Sequence, residues 1–339
     1  MNNNIDKLSA LLGHSETPTP VEQLSPPAGL TREQIDNAQL PPPDQNIYIY
    51  KDLVDKMRAI PDAPKIPTFI PQLDMDLDGG FQGGELIILS GTPKNGKSTL
   101  MQTFSYLQSL HAFPSIIFTL EMPWQELTRK FLQMDQDNVA TAPTDLPIFS
   151  LIDNRGLSLE WLEEKIKEAQ EKHGIAIAYI DHLHYLVSLK DSASKNISFL
   201  MGNLARELKR MSMRLNIPIV LLAHTKKIDV NINPDLNSIR DSGLIAAESD
   251  FVMFIWRERE QKDKEEEKKD KWKHAGLKTE NNEIIYTNKA VLALEANRRN
   301  GNTRRIRLAY HRHRFYPEEE YENTVNFDYP AKNTSWMNK

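Results

Sequence analysis

The sequence predicts an α/β fold in which a mostly parallel central sheet carries helices on both faces and follows a flexible amino-terminal arm. Three observations predict it. From Pro67 onward, short apolar runs alternate with helix-patterned segments, and strands joined by helices of that length pair in parallel. The run Gly91-Thr92-Pro93-Lys94-Asn95-Gly96-Lys97-Ser98 reads G-x-x-x-x-G-K-S, directly behind an apolar run and ahead of a helical one. Residues 1–44 hold seven prolines among Ser, Thr, Asn and Gln, a composition that buries too little apolar surface to order itself.

Taken in order, the arm contains two helix-capable pieces, Ile5 to Leu12 and Thr31 to Leu40. Residues 45–66 read as a linker helix: Ile47, Tyr50, Leu53, Val54, Met57 and Ile60 recur at three- and four-residue spacing before Pro61 and Pro64. Its apolar face needs cover from its own domain or from a neighbouring subunit. Residues 67–318 form the main domain, with strands at Leu86–Ser90, Ser115–Leu120, Pro147–Ile152, Ile175–Asp181 and Ile217–Ala223. The intervening helices run Lys97–His111, Trp124–Met134, Ser158–Lys172 and Asn196–Leu215, the last with Ile197, Leu200, Leu204, Leu208, Met211 and Leu215 on one face. Phe251–Trp256, Ala290–Leu294 and Arg304–Tyr310 extend the sheet without helices between them. Arg257 to His274 reads as a solvated charged excursion, and residues 319–339 as a tail. No internal repeat is evident.

Composition bounds the function. The chain has 339 residues, 40% of them hydrophobic, enough for one large core. No stretch approaches a membrane span, and the Asn-rich start lacks the layout of a signal peptide; the expectation is a soluble cytoplasmic protein, or one in the host cytoplasm if phage-encoded, with no membrane partner. Zero cysteines exclude disulfides and thiolate metal sites. The net charge of −5 argues against coating nucleic acid nonspecifically, while leaving room for a local basic channel.

The cradle residues carry the first chemistry. Gly91 and Gly96 let successive N–H groups converge on phosphate oxygens at a helix N-terminus. Lys97 reaches the β- and γ-phosphates and the Ser98 hydroxyl ligates Mg²⁺, so ATP and Mg²⁺ are the expected cofactors, held by residues 91–98 together with Thr99. Ligands of open parallel sheets collect at the carboxyl ends of strands, which singles out three more side chains. Asp181 ends its strand as a carboxylate placed to hold Mg²⁺, Glu121 could polarise the water that attacks the γ-phosphorus, and His224 could hydrogen-bond the γ-phosphate. His182, His184, His311 and His313 lack a convincing ligand set, and no metal is assigned to them.

Phe118-Thr119-Leu120-Glu121-Met122-Pro123, the strand with Asp181-His182-Leu183-His184-Tyr185-Leu186, the run Ile217 to Lys227, and Asp241 to Asp250 followed by Phe251 to Arg257 together resemble the motifs of DnaB-like replicative helicases, in the correct order over roughly Pro67 to Tyr316. The Asp-His start of the Asp181 motif and the histidine at 224 are more similar to phage primase-helicases and mitochondrial Twinkle. The resemblance implies a RecA-like P-loop NTPase motor that assembles as a homo-oligomer, a hexameric ring, with ATP between neighbours and single-stranded DNA through the centre. It implies Glu121 as the catalytic carboxylate, Asp181 as the Mg²⁺-associated residue and His224 as γ-phosphate sensor. In Asn297-Arg298-Arg299-Asn300-Gly301, Arg299 would be the arginine finger inserted into the adjacent site, with Arg298 nearly as good a match. Bacterial DnaB has a Lys where this chain has Asn297, so the resemblance does not carry over a second cationic contact across the interface.

DNA would be gripped by the loops Val187–Ile197 and Lys226–Ser242, through Lys190 and Lys195 in the first and Lys226, Lys227 and Arg240 in the second. Neither loop offers an aromatic for base stacking, so binding should be sequence-tolerant and salt-sensitive. The family's helical or primase region has no counterpart in the polar arm, which could tether a primase, loader or other replication protein. The reading is an ATP-dependent DNA helicase motor serving replication of a phage, plasmid or similar element. Two alternatives stand beside it: a RecA-like recombination or remodelling ATPase that does not unwind, and a nucleotide-gated scaffold that loads another helicase.

Overall fold

Strands with no polar face need cover on both sides, and here the two-residue period of a strand divides each apolar run between two cores. In the computed structural model, which describes residues 50–59, 64–135, 148–150, 158–182, 197–226, 232–239, 243–260, 285–311 and 313–325, β1 (Leu86–Gly91) is buried throughout. Its Ile87 and Leu89 enter one core and its Leu86 and Ile88 the other. β2 (Ser115–Thr119), β4 (Ile177–Asp181) and β5 (Ile219–His224) divide in the same way.

The helices take sides accordingly. α2 (Pro71–Asp76), α3 (Lys97–Leu110) and α4 (Trp124–Asp135) cover the first core through Leu73, Leu100, Phe104, Leu127 and Phe131. α5 (Leu159–His173) and α6 (Ile197–Leu215) cover the second through Leu162, Ile166, Met201, Leu204 and Leu208, joined by Ile245 of α7 (Gly243–Glu248). Ser158 caps α5 by accepting from Trp161 N–H at 3.1 Å, and Gly174 ends it at φ 60°, a left-handed conformation that suits glycine.

The sheet has nine strands in the order β3-β2-β4-β5-β1-β6-β7-β8-β9, with β3 at Ile148–Ser150. The half from β3 to β6 (Phe251–Glu260) is parallel; β7 (Ile285–Asn297), β8 (Arg304–His311) and β9 (Arg314–Pro317) continue it antiparallel. Among the described residues the five expected parallel strands and the four expected helices of the main domain are present. One expectation is corrected: Arg257 to Glu260 do not begin a solvated excursion but extend β6, because Arg257 and Arg259 pair with Ala290 and Tyr286 of a longer β7. The short elements α2, β9 and α7 lie outside the expected pattern, as does α8 (Glu318–Val325), all but the first residue of which falls within the segment read as a tail. Residues 1–49, including both helix-capable pieces, and residues 261–284 with Trp272 lie outside the described residues.

The chain divides into two units, Met1–Ile60 and Pro61–Lys339. In the first, α1 (Tyr50–Ala59) forms within the expected linker helix, with Tyr50 and Leu53 exposed. No described helix is long and apolar enough to cross a membrane.

Candidate active site

Strand register brings the chemistry together before any side chain is placed. Gly91, where the cradle opens, is paired with His224 across β1 and β5, and Thr119 is paired with Asp181 across β2 and β4. One residue beyond, Leu120 N–H donates to Asp181 O at 2.8 Å, and Thr119 Oγ1 donates to Met122 O at 2.6 Å. Glu121 therefore leaves the sheet beside Asp181 and His182.

The cradle is held open by its backbone. Lys94 and Gly96 have φ of 64° and 94°, and a Cβ on Gly96 would lie 2.7 Å from Phe315 Cζ, so this position excludes a side chain on both counts. At Gly91 a Cβ would meet Ile255 O at 2.4 Å. Buried Asn95 braces the loop: Nδ2 donates to Pro93 O at 3.1 Å and to Thr92 Oγ1, and Oδ1 accepts from Arg257 N–H at 2.9 Å. Pro93 and Lys94 are exposed, and Thr92 and Thr99 half-buried. Gly96 gives α3 no side-chain cap, so the positive end of its dipole is directed into the cradle.

Lys97 is 6% exposed and folds back on the loop, donating to Gly91 O at 2.9 Å and Thr92 O at 3.2 Å. Burial lowers its pKa to about 8, against the pull of Asp181 and Glu121 in the other direction. Ser98 Oγ donates to Asp181 Oδ2 at 2.7 Å. Burial raises the Asp181 carboxyl, opposed by the Ser98 hydrogen bond and by His182. This pair offers only hard oxygen donors, a set that fits Mg²⁺. Ser98, Glu121, Met122, Pro123, Glu126 and Asp181 line one open cleft.

Glu121 has a half-exposed side chain, and its Oε2 lies 3.4 Å from Nε2 of nearly buried His182. The His182 and His224 rings meet edge to face with centroids 4.2 Å apart. Burial depresses the His182 pKa, with Glu121 and Asp181 acting against it. Residues 91–99, Glu121, Asp181 and His224 are thus brought to one place. His182, the Asn95–Arg257 brace and Phe315 were not singled out for it from the sequence. An Asp-His pair at a strand end was the available signal for the first; the other two contacts follow from pairing across long sequence separations.

Arg299 sits elsewhere. Its guanidinium donates to Glu85 Oε1 at 2.6 Å, to Gly80 O at 3.1 Å and to Leu77 O, and lies over the Phe251 ring. Arg298 is exposed and donates to Ala247 O. Glu85 precedes β1 whereas the cradle follows it, and a six-residue strand spans about 20 Å. These arginines therefore stand at the far end of β1 from their own chain's cradle. Lys226 is exposed, with its backbone N–H donating to Ser238 O at 2.7 Å. Lys190, Lys195, Lys227 and Arg240 lie outside the described residues.

The sequence profile of the DnaB-like helicase C-terminal domain matches residues 65–145 and 136–316, well over half of the chain. The chain belongs to this family. Among similar DnaB-family proteins, the replicative DNA helicase DnaB of Leifsonia xyli subsp. xyli is 26% identical over 57% of this chain and 47% of its own length. That of Treponema pallidum is 28% identical over 58% and 49%, and that of Helicobacter pylori 29% identical over 57% and 43%. The chain thus spans about half the length of the curated DnaB relatives it matches. In structure it is similar to a solved ATPase domain, with TM-score 0.59 and 18% identity over 79% of this chain and 98% of that one. It is also similar to a DnaB-like replicative helicase described with its interactions with primase, with TM-score 0.58 and 17% identity over 80% and 67%. These likenesses establish the RecA-like fold of the DnaB family.

Proposed function

We propose that this DnaB-family domain is the ATP-hydrolysing motor of a replicative DNA helicase, working as a ring of identical subunits, a hexamer, around single-stranded DNA. The observation that carries the reading is the separation of parts along β1: a complete phosphate cradle at one end and the Arg298–Arg299 turn at the other. Besides its pair with Glu85, a guanidinium so far from its own cradle could act in hydrolysis at the cradle of a neighbour, and on this reading hydrolysis is a property of the assembly.

Within each site the residues divide the work. The cradle N–H groups and the α3 N-terminus bind the phosphates, and Lys97 exchanges its carbonyl partners for phosphate oxygens of opposite charge. Ser98 and Asp181 would hold Mg²⁺, which when bound neutralises charge on the β- and γ-phosphates. Glu121 orients the attacking water and takes its proton, while His224 donates to the γ-phosphate and reports its presence at the end of β5. The arginine turn of the neighbour stabilises the charge that develops as the bond breaks.

The loops that follow β4 and β5 leave from the same strand ends as Asp181 and His224. We assign them, with Lys190, Lys195, Lys226, Lys227 and Arg240, to the DNA backbone, so that nucleotide state and DNA grip are linked through the strand ends. The amino-terminal arm is assigned to a primase, loader or other replication protein.

Phosphate release and separation of a forked duplex, measured on one preparation, test the proposal. The expected result is hydrolysis stimulated by single-stranded DNA together with strand separation. Hydrolysis without separation would favour a remodelling ATPase, and absence of hydrolysis a loading scaffold.

A further inference from the structure

Glu121, which lines the cleft, lies together with His182 and His224, and the proposed hydrolysis gives separate work to Glu121 and His224. Each offers one ligand atom, and the three atoms lie within 4.8 Å of one another. His182 Nε2 and Glu121 Oε2 are 3.4 Å apart, which matches the roughly 3.3–3.4 Å between two ligands of a tetrahedral ion bound at about 2.0–2.1 Å. The two imidazoles stand at the ends of β4 and β5, strands paired along Ala178–Ile180 and Ile219–Leu221, so their separation is set by the sheet. Glu121, half-exposed, is the ligand free to swing inward.

Two imidazoles and a carboxylate suit Zn²⁺ and other late first-row ions, whereas Mg²⁺ takes oxygen ligands. The oxygen pair of Ser98 and Asp181 lies beside this nitrogen-rich set. We propose that Glu121, His182 and His224 form a second cation site, selective for zinc-like ions over Mg²⁺, and that filling it stops ATP hydrolysis. Occupation engages the carboxylate that would take the proton from water and the imidazole that would meet the γ-phosphate. The inhibition rests on the roles proposed for Glu121 and His224; the binding does not.

The test uses the full chain without nucleotide, in excess Mg²⁺, with Co²⁺ as a visible-absorbing probe and Zn²⁺ as competitor. One Co²⁺ per chain should bind with the intense absorption of a low-coordinate nitrogen-containing site and be displaced by Zn²⁺. His182→Asn, His224→Asn and Glu121→Gln should each weaken it by about tenfold or more, whereas His311→Asn should not; circular dichroism checks that each variant is folded. Should one substitution prevent folding, the other two carry the comparison. In the unaltered chain Zn²⁺ should halve phosphate release over the range in which it displaces Co²⁺, and a chelator should restore it. Absence of the Co²⁺ absorption, or its persistence undiminished in the folded variants, would overturn the site. Co²⁺ binding as expected with phosphate release indifferent to Zn²⁺ would overturn the inhibition alone. A chain that binds Co²⁺ as expected but hydrolyses nothing would support the site and refute the motor.

Discussion

At Gly96 a single added carbon would disturb the site on two counts. A left-handed backbone and the Phe315 ring both exclude a Cβ there. Gly96→Ala should weaken nucleotide binding by about tenfold or more, from a backbone strain of roughly 1–2 kcal/mol. Adding Phe315→Ala removes the collision and not the strain, so titration calorimetry should find affinity still reduced in the double variant. Lys97→Ala should abolish turnover. Arg299 tests the division between subunits. Losing its pair with Glu85, largely shielded from solvent, should cost about 1–3 kcal/mol in urea unfolding, whereas exposed Arg298→Ala should cost no more than about 0.5 kcal/mol. Arg299→Ala should also lower hydrolysis by the assembly about a thousandfold while sparing nucleotide binding by the isolated chain; equal turnover would remove Arg299 from the role. At this scale the cradle, Glu121, Asp181 and His224 were legible because each sits in or just after an apolar run. His182 beside Glu121 was not, because that contact depends on the register of β2 against β4. The commitment of Arg299 to Glu85 likewise joins residues more than two hundred positions apart.

The strands β1, β2, β4 and β5 could be read directly because burial on both faces leaves them continuously apolar. β6 was read short: beyond Trp256 it runs into Arg257-Glu258-Arg259-Glu260, where charge masks a strand whose partner is β7 rather than a helix-covered core. Elements of four to six residues, α2, α7 and β9, are too short to display a period. α5 and α6 are joined at their surface by Arg214, which donates to Glu163 at 2.7 Å, with Lys167 also on Glu163. These contacts, the Arg214 hydrogen bond first, lower the Glu163 pKa below 4.5. A carboxyl lowered in the folded state stabilises above its unfolded pKa and loses that contribution as pH falls through the folded one. Arg214→Ala should therefore lower urea stability at neutral pH by no more than about 1 kcal/mol, and the difference should close as pH falls below 4.5. For α1, with Tyr50 and Leu53 exposed, we assign the apolar face to ring closure. Deleting residues 1–62 should leave thermal unfolding of the remaining domain cooperative and reduce assembly seen by light scattering; unchanged assembly would refute that assignment.

At the scale of the molecule, the order of motifs along the chain carried more than any one of them. The cradle alone names a nucleotide site, whereas the cradle, Glu121, Asp181, His224 and the Asn297–Gly301 turn, taken in order, carry the proposed motor. The profile match covers residues 65–145 and 136–316; in the fold, parallel strands collect the cradle, Asp181 and His224 at one end, and β7, antiparallel to β6, returns the Asn297–Gly301 turn to the other. What the order could not convey is how the proposed subunits would meet, since a contact between copies leaves no period in one chain. The most direct test is therefore a mixing experiment. Chains carrying Lys97→Ala, with an intact arginine turn, are combined with chains carrying Arg299→Ala, with an intact cradle, and phosphate release is followed on single-stranded DNA. The mixture should hydrolyse ATP although neither variant does so alone. A mixture as inactive as its components, while still assembling on the DNA, would contradict hydrolysis between neighbours.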